Sequence, residues 1–406
     1  APSSATSMKS PFQHLLHTNT ALTNVQRVSI LELLRHPQEE LSQLTRHISL
    51  LETPSDDATR RRAELIAFID PHLTLLAPIN CLPDDIMREI FLHALDGTEC
   101  LRIRYEALPV TLCRVSRYWR NLALTTPRLW ASMEISFQQI REPQSLLKLA
   151  GVIDQWIERS GGVPLDITLD SSALICDLNL SPIFTLLVTI SHRWRNIQLP
   201  GECSHYFAAL TPEDVPLLES FTLGGEAIEV GIAKPLGLLG TSSLRRLVSP
   251  YGTQTYDGTI SLGGLTNLTL STLAIFAENV LVLLAHCPHI EVCTLLLVDL
   301  TLSEQKSCDG PLTLSKLRQL SVTYTTVSRW QRTYFFDSIA FPALRSLDLD
   351  CVNAFAYGTP RQALLPLALV RGLERLCIGI LRICSTLLHS ALADIPNLQK
   401  LHLKSE

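Results

Sequence analysis

A phrase of six residues recurs along the second half of the chain, and it constrains the fold more than any other feature. Its pattern is L-x-x-L-x-L, with apolar residues at the first, fourth and sixth positions. From residue 218 onward, successive copies begin 21 to 29 residues apart. The nine copies are WRNIQL at 194, LESFTL at 218, LRRLVS at 244, LTNLTL at 265, IEVCTL at 290, LRQLSV at 317, LRSLDL at 344, LERLCI at 373 and LQKLHL at 398.

A repeat of this length and pattern is typical of leucine-rich repeats. The three apolar positions are expected to point inward from a short strand and its approach, while the intervening residues face outward. A single copy cannot bury its apolar side, so the copies must stack. We therefore predict an irregular α/β solenoid over residues 135–406, with parallel strands and helical connectors at 278–287 and 385–395. One copy departs from the pattern, because it ends in Ser249.

The first 76 residues predict a leader followed by helices. Residues 1–25 are rich in Ser, Thr, Pro and Asn, which favours a disordered leader. Over residues 26–76 apolar residues return at spacings of three and four, the rhythm of a coiled coil. Pro37 and Pro54 are expected to interrupt it and leave two short helices, for which a hairpin is one arrangement. Two interpretations stay open, a short coiled coil or an amphipathic pair that packs on the next domain.

Residues 77–134 predict a small all-helical domain that opens on NCLPDDIMREIF. Pro83 suits the first turn of a helix, where its missing N–H costs nothing. Asp84 and Asp85 would then lie beside the positive end of the helix dipole. Ile86 and Ile90 follow one turn apart on the same helical face.

The second half of this domain predicts one further long helix and one short one. Leu112, Val115, Trp119 and Leu122 recur on one face of a single helix. Thr126 and Pro127 are then expected to cap and begin a last short helix that carries Trp130.

Composition excludes several classes of protein. The chain of 406 residues is 46% hydrophobic and 18% charged, with a formal charge of −5, which is typical of a globular protein. This mild acidity predicts no nucleic-acid or membrane partner. No run of eighteen apolar residues predicts a membrane span, and the first residues do not form a secretory signal. Eleven scattered cysteines without a CxxC pair favour reduced thiols, and hence the cytoplasm or nucleus.

The search for chemistry finds no convergent catalytic set. His286, Cys287, His289 and Cys293 form the clearest metal-like cluster, but a zinc site needs a second ligand pair, so we interpret the segment as the end of a repeat helix and expect no metal or cofactor. Adjacent carboxylates on a helix diverge by roughly 100°. Neither a phosphate-binding loop nor a nucleophile elbow is present. The sequence therefore predicts a protein that is not an enzyme.

Residues 82–130 resemble an F-box, a small helical module found in ubiquitin-ligase receptors. The chain has Asp85 where the family more often has Glu, and a long polar stretch, DGTECLRIRYE, separates the two halves of the match. The matching residues are Leu82, Pro83, Asp85, Ile86, Ile90 and Phe91, then Val115, Ser116, Trp119, Arg120 and Trp130.

The resemblance implies a substrate-recognition subunit of a Skp–cullin–F-box ubiquitin ligase. The helical module followed by a repeat array is similar to F-box proteins of fungi. In such a protein the box docks a Skp-family adaptor and through it a cullin, and the array binds a target protein for ubiquitin-dependent degradation. The implied adaptor contacts are Leu82, Pro83, Ile86, Ile90 and Val115. The implied core of the box is Phe91, Trp119, Leu122 and Trp130.

The alternative hypothesis is a repeat scaffold outside any ligase, in which the F-box-like segment is only an N-terminal cap. Terminal units of solenoids need such caps. The two hypotheses differ at one surface, because a cap would bury Ile86 and Ile90 and a receptor would leave part of that face open.

Overall fold

The computed structural model describes residues 9–16, 18, 22–50, 55–95, 101–138, 140, 142–170, 179–224, 236–249, 262–272, 275–301, 312–326, 338–351, 372–379, 392–393 and 395–404. The chain forms two compact units. The first unit comprises Ala1–Ser132 with Gln155–Val163, and the second comprises Met133–Asp154 with Pro164–Glu406.

Eight α-helices lie within the described residues. They are α1 Asn24–Ser49, α2 Asp56–Leu75, α3 Asp84–His93, α4 Leu108–Val115, α5 Arg117–Leu124, α6 Pro143–Arg159, α7 Ser181–Thr189 and α8 Ala277–Ala285. Short 3-10 helices lie at Pro78–Cys81, Pro127–Trp130, Ser191–Arg193, Gly201–Phe207, Pro212–Asp214 and Gly237–Gly240. No described helix is both long enough and apolar enough to span a bilayer.

Fourteen strands lie within the same residues. They are β1 Ser132–Ile135, β2 Leu165–Leu169, β3 Trp194–Pro200, β4 Ser220–Gly224, β5 Arg246–Ser249, β6 Asn267–Thr272, β7 Ile275–Phe276, β8 Val292–Thr301, β9 Leu312–Thr313, β10 Gln319–Thr326, β11 Ile339–Ala340, β12 Ser346–Cys351, β13 Arg375–Gly379 and β14 Lys400–Leu403.

Helices α1 and α2 form a hairpin with its own small core. Ile30 and Leu34 of α1 are buried against Leu65, Ile69 and Leu75 of α2. Each helix begins at a hydroxyl cap, which satisfies an N–H group that the first turn leaves free. A hairpin is therefore the arrangement that the spacing of apolar residues produces.

Pro37 does not interrupt α1, so that prediction was wrong. The helix continues through Pro37 for its full 26 residues. Proline removes one interior hydrogen bond but leaves the others, and the packing of α1 on α2 stabilises the helix as a whole. Pro54 lies outside the described residues.

Residues 9–16 also differ from the predicted leader. Ser10 forms a hydrogen bond with His72 of α2, and Phe12, Leu15 and Leu16 pack against the core of the hairpin. Apolar side chains spaced among the polar ones give this segment a surface to bury. The structure of residues 1–8 is not described.

Helices α3, α4 and α5 form the small domain, but the predicted single long helix is divided in two. Ser116 lies in an extended conformation between α4 and α5, with φ −157° and ψ 169°. Its hydroxyl oxygen accepts a hydrogen bond from the Trp119 N–H at 3.1 Å and so caps α5. The periodic spacing of Leu112 and Trp119 persists across this break, which is why the pattern predicted one helix.

The second unit contains a parallel sheet whose strands follow chain order. The order is β1-β2-β3-β4-β5-β6-β8-β10-β12-β13-β14, with β7 paired to β8 and a separate pair β9–β11. In eight of the nine copies, the strand begins at the third residue of the phrase. The prediction of a mixed α/β fold with a largely parallel sheet is confirmed.

The burial of each phrase follows the predicted pattern in all central strands. Leu317, Leu320 and Val322 of the β10 phrase are all buried, and the equivalent residues of its neighbours behave alike. Ser249 occupies the sixth position in β5 and is buried there despite its hydroxyl. The predicted connector helix at 278–287 corresponds to α8, whereas that at 385–395 lies almost entirely outside the described residues.

Candidate functional site

Helix α3 carries two apolar stripes that face in different directions. Met87 and Phe91, one turn apart, have exposed fractions of 0% and 1% and form the inward stripe. Ile86 and Ile90, also one turn apart, have exposed fractions of 45% and 42%. A helix of ten residues thus fills its own core with one stripe and presents the other to the outside.

The residues before α3 extend this apolar surface. Pro83 is exposed and occupies the capping position just before Asp84, so it lies one residue earlier than the predicted first turn. Leu82 is half-buried. Ile79, in the preceding 3-10 helix, is also exposed. The sequence analysis missed Ile79, which lies outside the segment that resembles an F-box.

A hydrogen bond fixes α3 against α5. The Tyr118 hydroxyl of α5 donates to the Asp84 carboxylate at the first residue of α3, at 2.7 Å. Partial burial, together with this hydrogen bond to a carboxylate, raises the pKa of Tyr118 to about 12. Asp84 therefore has a second role besides the start of the helix, because it holds the exposed stripe in a defined orientation.

The residues implied as the core of the box pack together beneath this face. The rings of Phe91 and Trp119 lie 5.0 Å apart, which joins α3 to α5. Leu122 and Trp130 are buried, while Trp119 is half-buried. The Trp130 Nε1–H donates to the Ala123 carbonyl at 2.9 Å, so the buried indole has its hydrogen bond.

Trp130 has two further neighbours from a helix that the sequence analysis assigned to the repeat region. Trp156 of α6 meets Trp130 edge to face at 4.8 Å. The guanidinium of Arg159 lies 4.7 Å from the centre of the Trp130 ring, a cation–π contact. The signal that could have found them is the aromatic residue at 156 followed, one turn later, by an arginine.

Val115 ends α4 with an exposed fraction of 50%. It lies on a different helix from Ile86 and Ile90, and its place on the same face stays a prediction. Helices α4 and α5 contain Arg114, Arg117 and Arg120, all exposed, and no carboxylate.

The two cysteines of the cluster around residue 287 belong to the repeat core, whereas His286 is half-buried and His289 is exposed. No group of three potential metal ligands occurs within the described parts of the chain. Cys287 and Cys293 are buried, and burial raises the pKa of the Cys287 thiol to about 12. The Cys287 Sγ donates to the Leu283 carbonyl at 3.3 Å, and Cys293 occupies the fourth position of its phrase. These thiols stay protonated and pack like small apolar residues.

Asp348 and Asp350 lie on one face of β12, as their spacing predicts. The Lys404 ammonium reaches both carboxylates, at 3.4 and 3.3 Å. Gly379 lies on the neighbouring strand β13, where a Cβ atom would collide with the Asp350 carboxylate. Glycine therefore makes room for Asp350, and the carboxylates are paired within the array.

No family model matches the chain, and none of the curated proteins compared with it is significantly similar.

Proposed function

We propose that this protein is a non-catalytic substrate receptor of a Skp–cullin–F-box ubiquitin ligase. In this proposal the helical module of residues 77–134 docks a Skp-family adaptor, and the repeat array binds the target protein. The adaptor-binding residues are Leu82, Pro83, Ile86, Ile90 and Val115.

The observation that carries the proposal is the outward stripe of α3. The helix already buries Met87 and Phe91, so Ile86 and Ile90 are not needed for its own core. An exposed isoleucine pair on a short, well-anchored helix is suited to helix-in-groove recognition. Isolated exposed apolar residues are common and need no explanation, but these two are contiguous and follow exposed Pro83.

The exposure of this stripe favours the receptor over the cap. The cap hypothesis requires Ile86 and Ile90 to be covered, and both are more than 40% exposed. The target half of the proposal is supported by the repeat array itself, because stacked repeats expose a continuous row of outward side chains.

Co-expression with a Skp-family adaptor tests the proposal. The intact chain is expected to co-purify with the adaptor, and Ile86→Asp with Ile90→Asp is expected to weaken binding about 100-fold or more, as for central interface residues. Isothermal titration calorimetry gives the affinities. Circular dichroism and thermal unfolding establish that the double variant keeps its fold.

The matched control is Leu217→Asp with Val282→Asp in the second unit. These residues are 44% and 43% exposed, so the control introduces the same charge at equally exposed apolar positions. It is expected to bind the adaptor like the intact chain. If the intact chain retains no adaptor, or if both double variants bind equally well, the receptor proposal is wrong and a repeat scaffold outside any ligase takes its place.

A further inference from the structure

A short segment near the start of the described residues is joined to the helical hairpin by a hydrogen bond. We call residues 10–16 the strap. Its apolar residues Phe12, Leu15 and Leu16 pack against the hairpin core. The Ser10 hydroxyl lies 2.7 Å from Nε2 of His72, a ring that is completely buried in α2.

The hydrogen bonds around His72 define which group donates. The Nδ1 of His72 lies 2.7 Å from the Phe68 carbonyl, which can only accept, so Nδ1 carries the proton. In the neutral ring Nε2 is then an acceptor, and the Ser10 hydroxyl must donate to it. The same Ser10 oxygen accepts from the Phe12 N–H at 3.0 Å. One hydroxyl therefore joins the turn of the strap to the buried ring.

We propose that Ser10 is a phosphorylation site and that its modification releases the strap from the α1–α2 hairpin. Pro11 follows Ser10 directly, and a kinase selective for serine before proline is the enzyme class that fits this pair. The proposed site contains none of the proposed adaptor-binding residues.

Among the Ser-Pro and Thr-Pro pairs of the described residues, Ser10 differs from the others. Thr126 and Ser249 are buried. The Thr211 hydroxyl bonds to Asp214 three residues away, and Ser181 begins α7. The Ser10 hydroxyl joins segments that lie 62 residues apart in the chain. Phosphorylation of Ser10 would therefore break a contact between two distant segments of the chain.

Phosphorylation of Ser10 removes the hydroxyl proton that is donated to His72. It also adds negative charge beside the C-terminal end of α2. The kinase transfers the γ-phosphoryl group of ATP, so a bond forms between Oγ and the γ-phosphorus while the bond to the bridging oxygen of ADP breaks. The hydroxyl proton passes to the base of the kinase. Phosphoserine carries about −1.5 to −2 charges. His72 lies in the last turn of α2, where the helix dipole is negative and disfavours a nearby anion.

The experiment uses the full chain with phosphoserine encoded at position 10, compared with unmodified Ser10 and with phosphoserine at position 42. Ser42 is exposed on α1 and bonds only to the Gln38 carbonyl in its own helix, so it carries the same charge on the same hairpin. Hydrogen exchange followed by mass spectrometry reports on peptides from the strap. Release predicts at least about 10-fold faster exchange of these amides with phosphoserine 10 and little change with phosphoserine 42.

A second arm tests access to the site. A kinase selective for serine before proline, with ATP, is expected to modify Ser10 of the folded chain, and Ser10→Ala should lose that phosphopeptide. Unchanged or slower exchange in the strap with phosphoserine 10 would overturn the release mechanism. If the kinase modifies Ser10 only in the urea-unfolded chain, Ser10 is not a phosphorylation site of the folded protein.

Discussion

At the scale of single residues, the direction of a side chain is decided by its neighbours along the helix. Ile86 and Met87 are adjacent and both apolar, yet the first is 45% exposed and the second is fully buried. Successive residues diverge by about 100° around a helix, so only one of them can face Phe91 and Trp119. The aromatic pair determines which stripe becomes core.

Tyr118→Phe tests how this orientation is held. The change removes the donor to Asp84 but keeps the ring, and we expect it to lower the free energy of unfolding by about 1 kcal/mol. Urea titration at pH 7 measures the loss. Tyr105→Phe is the control, because Tyr105 is 71% exposed and its loss should change stability little. Equal effects of the two substitutions would contradict a role for the Tyr118–Asp84 bond.

The same bond predicts a dependence on pH. The pKa of Tyr118 is raised to about 12 from 10.0, so the folded state keeps its proton where the unfolded state loses it. The stabilisation is complete below pH 10 and disappears as the pH rises towards 12. Intact protein should therefore lose stability over this range more steeply than Tyr118→Phe. Absorbance of tyrosinate should show one late-titrating group that the variant lacks.

At the scale of elements, two helix boundaries depend on more than periodicity. Ser116 divides α4 from α5 because its hydroxyl offers the Trp119 N–H an alternative to an intrahelical bond. Pro37 does not divide α1, because the helix is anchored on both sides of it by contacts with α2. Residues that favour a break thus produce one only where the surrounding packing permits it.

Pro37→Ala is expected to stabilise the hairpin. Alanine restores the interior N–H and its hydrogen bond, which favours the helix by up to about 3 kcal/mol, while the freer unfolded chain offsets about 1 kcal/mol. We therefore expect a gain of about 1–2 kcal/mol, measured as a higher midpoint in thermal unfolding. His36→Ala is the control, because it changes an exposed neighbour without adding a backbone donor. A loss of stability in Pro37→Ala would show that the helix does not continue through this residue.

At the scale of the whole molecule, repeats are locked together by a recurring pair of backbone bonds. The carbonyl of Glu219 accepts from the N–H groups of Arg245 and Arg246, at 2.8 and 3.0 Å. The carbonyl of Glu291 accepts in the same way from Arg318 and Gln319. Because each phrase bonds to the next at the same position, the apolar residues of successive strands fall in register and form one continuous core.

Leu320→Ala and Leu401→Ala compare the same position of the phrase in different surroundings. Leu320 of β10 is 2% exposed between two strands, and we expect its truncation to cost about 2–5 kcal/mol. Leu401 of β14 is 41% exposed at the edge of the described sheet, so its truncation should cost less than about 1 kcal/mol. Urea unfolding followed by circular dichroism measures both. Similar losses would mean that burial does not set the contribution of each phrase.

The sequence by itself determined the array and much of the helical module. Nine copies of one phrase locate the first residues of nine strands to within two residues, because period and apolar positions together define which side chains must be buried. Phe91, Leu122 and Trp130 were selected as core from the sequence and are buried in the structure. The adaptor-binding roles of the exposed residues stay predictions.

Only the tertiary structure decided that Met87 joins Phe91 in the inward stripe of α3, that Trp156 belongs with Trp130, and that Ser10 meets His72. Trp130 and Trp156 are 26 positions apart in the chain, and Ser10 and His72 are 62 positions apart. On α3, the core takes one of two adjacent residues that have similar hydrophobicity. Local patterns carry no information on such contacts, because burial and hydrogen bonding over long separations depend on how the elements pack. The repeat can be predicted from the sequence because each copy carries its own apolar pattern and the pattern recurs. An exposed surface cannot be predicted in this way, because its exposure depends on which other parts of the fold pack against it.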